Sequence, residues 1–131
     1  MDSLRAARIV SALSIAFGLF TLALPSAVAD LFDLTVVAGQ GSGWGEIGAL
    51  YGGLFIAMGG IGLVAARAGF EEGPLLLLCL GVIWLGFAGG RLVVSTITAP
   101  EASGAIGWFN LVLEISVGGV LLWSGWKPAE S

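Results

Sequence analysis

The sequence has no histidine, one cysteine and very little charge. Without histidine, imidazole acid–base chemistry and histidine metal ligation are excluded. The single cysteine, Cys79, cannot close an internal disulfide. It sits in the middle of an apolar run and reads as a small buried hydrophobe. Charged residues make up 11% of the 131 residues, against about 25% in a soluble domain. So few charges cannot cover a surface that faces water. The 5 Lys and Arg against 9 Asp and Glu give a net charge of −4, and no basic patch exists to bind nucleic acid. Catalytic signatures are missing as well: there is no nucleophile elbow, no Walker loop and no His/Cys cluster for a metal, haem or iron–sulfur group. The string Gly39-Gln40-Gly41-Ser42-Gly43 has the glycines of a phosphate loop but not its lysine, and reads as a flexible connection. Neither an enzyme activity nor a cofactor or metal is expected.

What the chain does have is apolar length. Hydrophobic residues make up 57% of it, gathered into four blocks within one domain, 1–131. A membrane-crossing helix needs about 20 largely apolar residues, and the blocks predict spans at 9–32, 46–66, 74–97 and 104–126. Gly39–Gly43, Gly73-Pro74 and Ala99-Pro100 mark breaks between them, and Pro74 suits a first helical turn. Barrel strands would alternate polar and apolar residues; Leu75-Leu76-Leu77-Leu78 and Leu121-Leu122-Trp123 do not. The predicted fold is an all-α integral membrane four-helix bundle, up-down-up-down.

The first span imitates a secretory signal, with Arg5 and Arg8, an apolar core and Ala27-Val28-Ala29 before Asp30. Hydrophobicity continues past that site through Leu31, Phe32 and Leu34 to Val37, so the segment is expected to be retained. Leu31–Val37 is expected to form a short interfacial helix or to prolong the span.

Arg5 and Arg8 precede the first span, Arg67 lies between the second and third, and Lys127 follows the fourth. The other two connections carry Asp30, Asp33, Glu46 and Glu101 and no Lys or Arg. All basic residues outside the spans thus fall on one side, which the positive-inside rule makes cytoplasmic, with both termini inside. Trp44, Trp108, Trp123 and Trp126 fall near span ends, as interfacial anchors do.

Glu46, Arg91 and Glu114 are charges within or at the edge of membrane-length apolar segments. Such groups are costly and usually face a protein interior with partners. By helical rise, Arg91 and Asn110 lie about 9 Å below the outer span ends and Glu114 about 15 Å. Asn110 and Glu114 share a helix face, and Tyr51 falls in the outer part of the second span. Glu46, Tyr51, Arg91, Asn110 and Glu114 form the candidate polar cluster, in which one Arg could reach both carboxylates. Inward of Glu114, Ile115-Ser116-Val117-Gly118-Gly119-Val120-Leu121-Leu122 offers no proton or ion path. Gly48 with Gly52, and Gly86 with Gly90, are four apart, and with Gly53 are the candidate helix-packing glycines.

Three stretches together resemble a known family: Glu46-Ile47-Gly48-Ala49-Leu50-Tyr51-Gly52-Gly53-Leu54, Gly86-Phe87-Ala88-Gly89-Gly90-Arg91-Leu92 and Asn110-Leu111-Val112-Leu113-Glu114. They are similar to the bacterial membrane family catalogued as domain of unknown function 4345. The resemblance implies a four-helix membrane protein of the bacterial cytoplasmic membrane and no particular activity. A looser likeness is to small four-helix membrane proteins of the DoxX type, some linked to quinone or redox chemistry.

Two functions fit. The first is a structural or accessory subunit that packs in the lipid bilayer against a partner complex or a second copy. The second is a binder or transporter of a small molecule or lipid through the polar cluster. Access to Arg91 discriminates between them: an enclosed, fully paired guanidinium favours the first, and one reachable from outside or from lipid favours the second.

Overall fold

The computed structural model describes residues 2–32, 34–35, 41–67, 69–97 and 105–126. Helix α1 (Ser3–Ala23) starts where the Asp2 carboxylate accepts a hydrogen bond from the Leu4 N–H, a side-chain cap on a free helical donor. Leu24 leaves helical geometry, and Pro25 opens α2 (Pro25–Leu31). Helix α3 (Gly41–Ile47) runs through a π-helical turn (Gly48–Gly53) into α4 (Leu54–Ala65). Helices α5 (Gly73–Ile97) and α6 (Ala105–Trp126) complete the chain. Four stretches are long and apolar enough to cross a membrane: Ser3–Ala23, Gly43–Ala65, Gly73–Val93 and Gly107–Trp126. No strand occurs among the described residues. The fold is an all-α four-helix bundle, and its apolar exterior is that of a multi-pass membrane protein.

Three boundaries differ from the expected ones. The first span begins at Ser3, not Ile9, because a helix entering lipid satisfies its backbone only by extending outward to a cap. It also ends at Ala23; of Leu31–Val37, expected to form a short helix or prolong the span, only Leu31 is helical among the described residues, and residues 25–31, expected within the span, form the separate α2. There Val28 and Ala29 are buried against Ile47. Gly41–Gly43, expected to be a flexible connection, is the first turn of α3. Glycine and serine mark loops in water, but close to the bilayer unsatisfied backbone groups favour helix despite poor propensity. Gly39, Gln40, Val36 and Val37 lie outside the described residues.

The bundle is two antiparallel hairpins set side by side. α1 packs chiefly on the π turn and α4, and α5 chiefly on α6. Glycine sets the close approach in each hairpin. A Cβ on Gly59 would lie 2.5 Å from the Ser11 carbonyl oxygen, and one on Gly18 would lie 2.6 Å from that of Gly52. In the other hairpin a Cβ on Gly125 would meet the Pro74 oxygen at 2.5 Å, and one on Gly81 the Gly118 oxygen at 3.0 Å. Of the glycines expected to pack, Gly52 does so, against Leu22. Gly48 makes ordinary contact with Leu22, and Gly53 meets only its own helix. Gly86 and Gly90 face open space. Cys79 likewise faces outward rather than into the core. A helix apolar all round carries no periodicity to say which face turns inward.

The bundle is tied at one end, once within a hairpin and once between the two. The Arg8 Nε donates to the Ala66 carbonyl at 2.9 Å, beyond the last turn of α4, where a cation also complements the helix dipole. The Ser124 Oγ donates to the Ser3 carbonyl at 2.8 Å, joining α6 to α1. The start of α1 and the end of α6 therefore lie at the same end, with the α4–α5 turn. That turn is closed by Gly69 at φ 76°, a left-handed conformation that glycine adopts without steric cost.

Candidate functional site

At the opposite end, Arg91 of α5 meets Glu114 of α6. The Arg91 Nε donates to one Glu114 carboxylate oxygen at 3.1 Å and Nη2 to the other at 2.7 Å. Helix geometry explains the pairing. Arg91 stands ten residues, about 15 Å, from the Gly81–Gly118 crossing, and Glu114 four residues, about 6 Å. Side chains lean toward the N-terminus of their own helix. On antiparallel helices that turns Arg91 inward and Glu114 outward, so the two heads converge. The guanidinium therefore reaches down to the carboxylate instead of rising to the interface.

The pair is unequally covered. The Glu114 side chain is 9% exposed and that of Arg91 31%. One edge of the guanidinium is engaged by Glu114. Its other terminal nitrogen, Nη1, has no hydrogen bond among the described residues. Asn110 lies one turn outward of Glu114 on the same inward stripe of α6, continued by Gly118, Leu121 and Ser124. It is only 8% exposed, and its carboxamide makes no hydrogen bond among the described residues. Yet no fully enclosed side-chain N or O there lacks a partner. The carboxamide is therefore not an enclosed orphan among the described residues.

Tyr51 lies in the π-helical turn, within electrostatic reach of Arg91. Such turns are rare and frequent at functional sites. Its ring stacks on Phe32 at 5.1 Å and on Phe55 at 6.4 Å. Phe55 continues to Trp84 at 5.3 Å, and Trp84 to Phe87 at 6.1 Å. Phe87 is one turn inward of Arg91 on α5, so an aromatic layer spanning the two hairpins underlies the ion pair. Reading for charge missed these rings. The spacing Phe87–Arg91 and Tyr51–Phe55, four residues in each case, was the available signal.

The structure thus brings together Arg91 and Glu114, with Tyr51 near and Asn110 one turn away. Glu46 does not join them. It is exposed on α3 beside Gly45 and Trp44, and only Glu114 forms an ion pair with Arg91 among the described residues. Three residues inside the start of its span, a Glu can keep its head in water, which removes the drive to pair.

No protein-family model, curated protein or solved structure matches this chain. Its function must therefore be argued from the site.

Proposed function

We propose that the protein is a non-catalytic binding protein of the bacterial cytoplasmic membrane, with its termini inside and a small-molecule or lipid site in the outer leaflet. The observation that carries this is the half-open guanidinium of Arg91, engaged on one edge by Glu114 and without a hydrogen bond on the other among the described residues. An ion pair serving helix register alone is best enclosed, since each open donor at bilayer depth lacks water to satisfy it. The orientation rests on the one-sided distribution of Arg5, Arg8, Arg67 and Lys127. Membership of the family catalogued as domain of unknown function 4345 is part of the proposal. It rests on the Tyr51-Gly52-Gly53 and Gly90-Arg91-Leu92 stretches, which both reach the site.

The test is native mass spectrometry of protein extracted gently from its own membrane. The wild type is expected to carry a bound small molecule or lipid that the double variant Arg91→Leu/Glu114→Leu lacks. Identical adducts on both proteins would sink the reading. A second reading, an accessory subunit, is favoured by one observation: Gly86, Gly89 and Gly90 leave an open small-residue face on α5, of the kind that lets another helix approach closely. In that case a co-purifying protein is lost on Gly86→Leu.

A further inference from the structure

We propose that the ligand of this site is an uncharged amphiphile with a carbonyl-bearing head, such as an acyl ester. The inference rests on the binding reading above and names its chemical class. Charge balance comes first. Arg91 and Glu114 sum to zero, and among the described residues no further charge pairs with them. An anionic head would leave one negative charge uncompensated at bilayer depth, where isolated charge is costly. A cationic head would need Glu114, whose two oxygens both accept from Arg91. An uncharged head disturbs neither.

Hydrogen bonding comes second. The Nη1 of Arg91, without a hydrogen bond among the described residues, is a donor only, and the Asn110 amide and Tyr51 hydroxyl each add a donor. Neither of the latter two makes a hydrogen bond among the described residues. Such a set selects a ligand rich in acceptor oxygen. Asn110, 8% exposed and without a hydrogen bond among the described residues, stands one turn outward of Glu114.

Position comes third. Arg91 lies six residues, about 9 Å, from the end of α5, and is flanked by exposed Leu92 and Val93. Exposed Phe109 and Leu113 flank Asn110 on α6. The exposed edge of Arg91 therefore borders the acyl region of the leaflet rather than bulk water, and a ligand meeting it there needs an apolar body.

Thermal unfolding in detergent micelles, followed by tryptophan fluorescence, tests the class with two probes of equal chain length, 1-monooleoylglycerol and oleate at pH 8.5. A ligand that binds only the folded state raises the midpoint by mass action. 1-Monooleoylglycerol is expected to raise the wild-type midpoint by several degrees and to leave that of Asn110→Leu unmoved, while oleate moves neither. A larger shift with oleate overturns the uncharged class and leaves the binding site standing. Equal shifts in wild type and Asn110→Leu place the effect on the bilayer-facing surface and overturn both. No shift with 1-monooleoylglycerol overturns the class.

Discussion

Asn110 is the residue at which stability and function pull apart. It is mostly buried and makes no hydrogen bond among the described residues, a placement that costs up to about 1–3 kcal/mol by comparison with mutational series. Leucine fills a similar volume and has no polar atoms to satisfy. Asn110→Leu is therefore expected to raise the unfolding midpoint in detergent while weakening ligand uptake, a trade typical of functional sites. A lowered midpoint would mean that the carboxamide is satisfied in the bilayer and belongs to the scaffold. The ion pair was legible in the sequence because Arg91 is the one cation deep in a span and Glu114 the one acid at mid-depth. Glu46 was misjudged for a physical reason: depth along a helix does not reveal its facing, and a carboxylate near the interface has water as an alternative partner. Trp84 was not legible as part of the site, and Phe55 only through its spacing from Tyr51. Aromatic residues in membrane helices serve lipid contact and core alike, and only the packed bundle separates the two.

At the level of the elements, hydropathy made all four spans legible and left their facing undetermined. Glycine shows this most directly. Gly59 sits against the Ser11 carbonyl, whereas Gly86, in an equally apolar helix, has nothing within 4 Å. Gly59→Leu is expected to force α1 and α4 apart and to cost at least about 1–3 kcal/mol, the usual range for overpacking. Gly86→Leu is expected to leave the isolated bundle within about 0.5 kcal/mol of wild type. Unfolding titrations in mixed micelles compare the two, and equal losses would refute the assignment of faces. The π-helical turn was not legible either. Gly48-Ala49-Leu50-Tyr51-Gly52-Gly53 carries no sequence signature for an i to i+5 pattern, and its glycines read equally as packing residues.

For the whole molecule, the ties Arg8–Ala66 and Ser124–Ser3 fix the two described chain ends at one end of the bundle, opposite the ion pair. Arg5, Arg8 and Arg67 lie at that same end, so the orientation proposed above would put the site in the outer leaflet. Maleimide labelling of Ser42→Cys in a Cys79→Ser background is expected to proceed from outside intact cells, and reaction from the inner side alone would invert the topology. Arg91 and Glu114 are expected to act as a unit within the membrane, and a double-mutant cycle measures that directly. Arg91→Leu leaves Glu114 enclosed without its cation, a loss of about 3–5 kcal/mol in comparable buried pairs. Removing both charges relieves most of it. The predicted result is that Arg91→Leu/Glu114→Leu is more stable than Arg91→Leu alone, with a coupling energy above about 1 kcal/mol. Losses that simply add across the cycle would contradict the pair, and with it the site built around it.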